Sequence, residues 1–169
     1  MAIPLEISAL IDQLNQELNQ TEQEATEGLN LLRELLSCFP DNALLIQFFA
    51  YLNTVLIFVE NSRIRIQTIM EGILTDDVTD EEIQEAGEDL GTLLGQVLEA
   101  KIEVRRIITR AIKPIMKQLP DEKELVELVE MARIAAEKAR VMYETADAIA
   151  TKWERRFEAK RAAKQKQEA

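Results

Sequence analysis

Apolar and small residues near the start of the chain recur at alternating steps of four and three, which is the spacing of one face of an α-helix. Pro4 occupies a position that a first helical turn tolerates, and Pro40, in the sequence CFPDN, ends the pattern. The pattern therefore predicts a helix over residues 4–37. Its inward face consists of Ile7, Ile11, Leu14, Leu18, Thr21, Ala25, Gly28, Leu32 and Leu35.

A second helix is predicted over residues 42–74, with Asp41 as its N-cap. Folding this helix back on the first places the small residues of the first near the bulky region 51–58 of the second. One apolar stripe is suited to the interior of a bundle and is interrupted only by Arg63. It consists of Leu45, Phe49, Leu52, Leu56, Val59, Ile66, Met70 and Ile73.

The third helix is predicted over residues 80–119, because Thr79 and Glu82 have the spacing of a capping box. Pro114 removes a backbone hydrogen bond and is expected to disturb this helix. A fourth helix follows over residues 121–151. Its four-three stripe continues beyond that range and comprises Leu125, Val129, Ala132, Ala136, Ala139, Tyr143, Ala146, Ala150, Trp153 and Phe157.

These four helices have similar lengths and short connections, so consecutive helices are expected to be antiparallel. The predicted fold is an all-α, up-down-up-down four-helix bundle of long helices with coiled-coil-like packing. Residues 1–151 form the bundle, and residues 152–169 are a basic extension of the last helix that we expect to fray. Aromatic residues are few, and Gly and Pro are scarce, which also favours helices over strands.

The formal net charge of −11 argues against general nucleic-acid binding, because phosphate contacts require a positive surface. A single cysteine, Cys38, cannot form an internal disulfide, and the chain shows no pattern of a secretory signal. We therefore expect a location in a reducing cytoplasm.

The stretch ALLIQFFAYLNTVLIFVE, residues 43–60, is the most apolar part of the chain. Its apolar run is shorter than the about 20 residues that a membrane span needs, and it includes Gln47 and Asn53. A second apolar stripe lies on a different face from the interior one, and it has Glu60 as its polar exception. Either this helix is buried all round, or the second stripe contacts another protomer, with Asn53 fixing the register. The contact residues are then Ile46, Ala50, Asn53, Ile57 and Ile64.

A basic patch at the end of the chain surrounds Trp153 and Phe157, which are four residues apart and share one helical face. Such a patch would suit an anionic membrane surface, nucleic acid or an acidic partner. The interpretation that we prefer is structural: the two aromatic side chains close the end of the bundle, and the bases complement the helix C-terminus. The patch consists of Lys152, Arg155, Arg156, Lys160 and Arg161.

The chain contains no histidine and no glycine-rich phosphate loop, so familiar catalytic side-chain groups are missing and no cofactor or metal is expected. The segments EEIQE (81–85) and ETAD (144–147) nevertheless resemble the two acidic motifs of the magnesium-dependent nucleotide pyrophosphohydrolases of the MazG type. That resemblance implies a Mg²⁺ site on neighbouring helices. We prefer the interpretation that these are solvated acids, since acidic residues complement the start of a helix.

From the sequence we therefore expect a non-enzymatic protein that acts in protein–protein interaction or assembly, most simply as a homodimer, through an apolar face of the second helix. One alternative is a membrane-active bundle that exposes its second helix, although membrane contact is not favoured. A further alternative is the magnesium-dependent hydrolase, with Glu82, Glu85, Glu144 and Asp147 as its acidic residues.

Overall fold

Four long helices form the structure, a computed structural model that describes residues 3–117 and 121–168. No strand is present in those ranges. The end predicted for the third helix, near Leu119, lies outside the described residues. The helices are α1 (Leu5–Cys38), α2 (Ala43–Ile73), α3 (Asp80–Ile107), which continues through a π-helical segment (Ile108–Ile112) into the short α4 (Lys113–Lys117), and α5 (Glu122–Glu168). The predicted all-α four-helix bundle is thus confirmed.

The inward face predicted for α1 is confirmed in full, because all nine of its residues are buried. Leu29 joins them. The predicted fit of small residues against bulky ones is seen at Gly28, where a Cβ atom would lie 2.7 Å from Cδ1 of Leu52. A glycine at this point of α1 lets the two helices approach closely.

Side-chain caps fix where the helices begin. The N-cap of α2 is Asn42, whose Oδ1 accepts a hydrogen bond of 3.1 Å from the amide of Leu45; the prediction of Asp41 was wrong by one residue. The capping box at the start of α3 is confirmed. The Thr79 amide donates to Oε2 of Glu82 at 3.0 Å, and the Glu82 amide donates to Oγ1 of Thr79 at 3.2 Å. Each cap satisfies amides that a helix start leaves without partners.

The disturbance expected at Pro114 takes the form of the π-helical segment directly before it. Proline has no N–H to donate to the preceding turn, and its ring crowds the carbonyl there. The amide of Lys113 bonds to the carbonyl oxygen of Ile108, five residues earlier. One wider turn therefore accommodates the proline, and the chain continues as α4.

The order of the helices around the bundle is α1, α2, α5, α3. Ion pairs show the directions. Glu17 and Glu24 of α1 bind Lys101 and Arg105 of α3 in the same order along both helices, so these helices are parallel. Lys138 and Lys152 of α5 bind Glu103 and Glu85 of α3 in the opposite order, so these helices are antiparallel. Because α2 and α3 are diagonal in this order, the connection between them crosses the bundle. The neighbouring pairs α1–α3 and α2–α5 are therefore parallel. The packing between α3 and α5 is the least extensive of the four neighbouring pairs.

Two of the predicted interior stripes were only half right. In α2 the column containing Leu45, Leu52 and Val59 is buried, but its companion column is that of Phe48 and Val55 rather than that of Phe49 and Leu56, which are half-buried. In α5 the shared column is Ala132, Ala139, Ala146 and Trp153. Its companions are Leu128, Ala135, Met142 and Ile149, whereas the predicted Leu125, Val129 and Ala136 are exposed.

Candidate interaction surface

The buried arc of α2 is wide but does not surround the helix. Its buried residues fall in three adjacent columns, led by Leu45, Phe48 and Tyr51. At about 100° per residue these columns cover roughly 120° of the helix circumference, so the opposite side faces solvent. The interpretation that α2 is buried all round is therefore wrong.

The predicted contact residues lie on that opposite side. Ile46, Ile57 and Ile64 expose 49 %, 51 % and 59 % of their surface, and Ala50 is also exposed. We name this stripe, with Asn53, the α2 face. It extends from Ile46 to Ile64, which is about 27 Å along the helix. The structure thus brings all five predicted residues together on one accessible surface.

Asn53 is half-buried in the middle of the α2 face. Its Nδ2 donates a hydrogen bond of 3.0 Å to the carbonyl oxygen of Phe49, one turn earlier in the same helix. This bond orients the side chain along the helix. The role of Asn53 in fixing the register of a contact stays a prediction.

The surroundings of the α2 face carry little charge. Residues 43–59 contain no Asp, Glu, Lys or Arg, although the whole chain has 31 acids and 20 bases. Glu60 is exposed at one point of the stripe. Arg63 lies near it and is held by Glu22 of α1 at 2.5 Å, which raises the pKa of Arg63 and lowers that of Glu22, chiefly through this hydrogen-bonded pair. The face is therefore apolar and close to neutral.

The basic patch at the end of α5 is largely occupied within the molecule. Lys152 binds Glu85 at 3.0 Å and also contacts Asp89, while Arg156 contacts Glu85. Lys160 binds Glu82 at 3.1 Å. These acids belong to α3, so the patch joins α5 to α3.

The rest of the patch points to solvent. Arg155 and Arg161 are exposed, and the guanidinium of Arg161 lies 5.4 Å from the centroid of the Phe157 ring. Trp153 is buried beneath the patch. The burial of Trp153 agrees with the interpretation that this side chain packs against the bundle and is not part of a binding surface.

The two acidic motifs are not brought together. Glu82 and Glu85 bind the basic residues just described, and Glu144 binds Arg140 of its own helix at 2.7 Å. In the antiparallel α3–α5 pair Glu85 contacts Lys152 and Arg156, which lie five and nine residues, or about 8 and 14 Å along the helix, beyond Asp147. Within residues 3–117 and 121–168 no group of three acidic or cysteine side chains is placed to hold a metal ion.

Sequence reasoning missed two polar features of the interior. Glu103 is completely buried and accepts hydrogen bonds from Lys138 and Arg106 through Oε2, while its Oε1 has no partner among the described residues. Tyr51 is buried nearby, and the pKa of its hydroxyl is raised by burial first and by Glu103 and Glu99 second. The residues seven positions away on either side of Glu103, Gln96 and Arg110, are polar, so the sequence pattern gives no sign that this carboxylate is buried.

The α2 helix is also the one described helix that is long and apolar enough to cross a membrane by length and composition alone, and 39 % of its most apolar stretch of 18 residues is buried in the bundle. Comparisons of this chain with protein-family models, with curated protein sequences and with solved structures find no match.

Proposed function

We propose that this protein is a non-enzymatic assembly protein and that its α2 face binds the same face of a second copy. The observation that carries the proposal is the position of Ile46, Ile57 and Ile64, which are about half exposed on the side of α2 opposite its buried arc. Three half-exposed isoleucines on one helix face leave apolar surface in water, and association removes it.

Charge is the reason for choosing a second copy as the partner. Two molecules that each carry a net charge of −11 repel one another, and contact through a neutral surface adds no local like-charge repulsion to that. The α2 face is the neutral surface that this chain offers, since residues 43–59 are uncharged. A two-fold contact uses the same patch on both molecules, and an apolar helix face is self-complementary in that sense.

Sedimentation velocity at micromolar concentration tests the proposal. Wild-type protein should sediment as a dimer or a larger species, and Ile57→Asp should lower the sedimentation coefficient because it places a charge in the contact. Ile102→Asp is the matched control: Ile102 is an isoleucine of α3 with 54 % exposure, outside the α2 face. A monomeric wild type, or an equal effect of the two substitutions, would contradict the proposal.

A second candidate function is a membrane-active bundle that opens and inserts α2, and the observation favouring it is the span-like length and composition of that helix. Vesicles of anionic phospholipid test it directly. Dye release or co-sedimentation with the vesicles that Ile57→Asp abolishes would support insertion of α2. Wild-type protein that neither binds the vesicles nor makes them leak would leave assembly in solution as the function.

A further inference from the structure

The α2 face, taken with its polar exception Glu60, has the same spacing when it is read from either end of the helix. The pairs at equal distances from position 55 are Ile46 and Ile64, Ala50 and Glu60, and Asn53 and Ile57. Two such faces present matching positions to each other when the helices are antiparallel, because a two-fold axis then passes beside position 55. The spacing therefore permits an antiparallel contact along the whole face.

Glu60 distinguishes the antiparallel contact from a parallel one. This residue is exposed and belongs to no ion pair within the described part of the chain, and the nearby Arg63 is bound to Glu22 of α1. In a parallel pair Glu60 faces Glu60 of the second copy, and these like charges repel. In an antiparallel pair the two carboxylates are about 15 Å apart along the helix, and each faces the level of Ala50 in the other copy.

A base lies at the level that Glu60 of an antiparallel second copy reaches. The guanidinium of Arg33, in α1, lies 5.8 Å from the centroid of the ring of Phe49, which directly precedes Ala50 in α2. Phe49 and Glu60 are eleven residues apart, so at about 100° per residue they lie within about 20° of each other around α2. Arg33 and Glu60 thus border the α2 face on the same side, which an antiparallel two-fold contact brings together.

Arg33 is accessible for a contact with a second copy. It is exposed, and its Nη1 donates a hydrogen bond of 2.9 Å to Oδ1 of Asn30, one turn earlier in α1. It belongs to no ion pair within residues 3–117 and 121–168. Residues 1–62 contain nine acids and this one base. The base of that acidic half therefore lies beside the neutral α2 face and not against an acid of its own molecule.

We propose that two copies join through antiparallel α2 helices and that Glu60 of each copy binds Arg33 of the other. This inference rests on the proposed function, in which the α2 face is the contact, and it adds the orientation and the charged pair that selects it. Ile46 of each copy then packs against Ile64 of the other. Two ion pairs border the apolar stripe, one towards each end, so the charges are complementary in both directions.

Charge reversal tests the ion pair. Arg33→Glu and Glu60→Arg should each raise the dissociation constant of the dimer about tenfold or more, measured by sedimentation velocity over a range of concentrations, because two-fold symmetry replaces two attractions with two repulsions. Glu60→Arg also makes the chain less acidic, so weaker association of this variant would not come from its net charge. Arg155→Glu, at an exposed arginine of α5, is the matched control for Arg33→Glu and should associate as wild type does.

A mixture of the two reversed proteins gives the sharper result. Arg33→Glu alone and Glu60→Arg alone each bring like charges together, whereas a mixed dimer brings opposite charges together at both positions. The mixture should therefore regain the dissociation constant of wild type. A parallel contact predicts instead that Arg33→Glu associates as wild type does.

A disulfide between copies measures the orientation independently. Cys38 is exposed and is first replaced by Cys38→Ser. In that background Ile46→Cys and Ile64→Cys should cross-link under mild oxidation when the two proteins are mixed, and neither should cross-link with itself.

The outcomes separate this inference from the proposed function. If Ile57→Asp dissociates the wild-type dimer while Arg33→Glu and Glu60→Arg leave it intact, the antiparallel ion pair is overturned and the α2 contact stands. Cross-linking of Ile46→Cys with itself, or no cross-link in the mixture, overturns the antiparallel orientation in the same way. A monomeric wild type overturns the proposed function and this inference together.

Discussion

The indole Nε1 of Trp153 donates a hydrogen bond of 2.6 Å to Oδ2 of Asp89, and this bond joins the second half of α5 to the first half of α3. Lys152 contacts the same carboxylate. On its other side the indole ring covers Gly72 of α2, where a Cβ atom would lie 2.9 Å from Cε3. Trp153 therefore holds three helices together at one end of the bundle.

Replacing Trp153 with phenylalanine should lower the free energy of unfolding by about 1–3 kcal/mol, because the bond to a charged acceptor is lost while most of the ring packing stays. Urea denaturation followed by circular dichroism measures the change. Asp89→Asn is the companion variant, and the double variant should cost less than the sum of the two single changes. Additive costs would show that the bond contributes little.

Gly28 and Gly95 should respond in opposite ways to alanine. Alanine favours the helix by about 1 kcal/mol over glycine, and at Gly95, which is exposed with no atom within 4 Å of a new Cβ, this gain should appear in full. At Gly28 the Cβ would lie 2.7 Å from Leu52 and 3.1 Å from Ile108, both buried, so overpacking should cost about 1–3 kcal/mol. Thermal and urea unfolding of the two variants test this, and stabilisation by Gly28→Ala would contradict the close α1–α2 approach.

Acidification should destabilise the bundle partly through Glu82. The amide of Thr79 and, to a smaller extent, Lys160 lower the pKa of Glu82 against the opposing effect of partial burial. Because the folded-state pKa lies below the unfolded one, this stabilisation is present above about pH 5 and is lost as the pH falls through the folded-state pKa.

Glu82→Gln provides the measurement, since glutamine can keep the capping hydrogen bonds without the charge. Urea midpoints recorded from neutral to acidic pH should fall less steeply for this variant than for wild type. Glu158→Gln, at an exposed site in α5, is the control and should follow the wild-type curve. Identical curves for all three proteins would show that Glu82 does not contribute.

Glu103→Met should change the free energy of unfolding by less than about 1 kcal/mol or raise it, despite the complete burial of this residue. The carboxylate has lost its hydration and its Oε1 has no partner in the described structure, so an apolar side chain of similar size removes a desolvation penalty and costs little if the bases it leaves behind are not buried. Lys138 and Arg106 are each about one-third exposed and regain water. A loss above about 3 kcal/mol in urea denaturation would show that the buried pair is needed for stability.

The sequence pattern predicted well where the helices lie along the chain. It predicted which face of a helix is buried only where a single pair of apolar columns was available. In α1 the pattern offered a single choice, and every predicted residue is buried. In α5 the column of Ala132 and Ala146 has apolar neighbours on both sides, so the pattern could not decide between Leu128 and Val129. Packing against α2 determines which of the two columns is buried. That packing depends on contacts between residues that are distant in sequence.

The α2 face and a groove beside α5 also differ in how far the sequence predicts them. The α2 face was predicted residue by residue, because a second apolar stripe is visible in the sequence itself. The groove of about 940 Å³ between the π-helical segment and the first turns of α5 was not predicted, since its walls come from helices that are brought together only by the order of helices around the bundle. Neither the crossing of the α2–α3 connection nor the weak α3–α5 packing has a signature in periodicity.

Because α5 is the last helix of the chain and packs parallel to α2, α2 is without this neighbour while the protein is synthesised on the ribosome. Until the α5 segment has left the exit tunnel, α2 lacks the neighbour that buries part of its inner arc, while its outward isoleucines are uncovered as well. Apolar side chains of α2 are therefore uncovered on two sides of the helix, the α5 side and the outward side, while residues 122–168 are added.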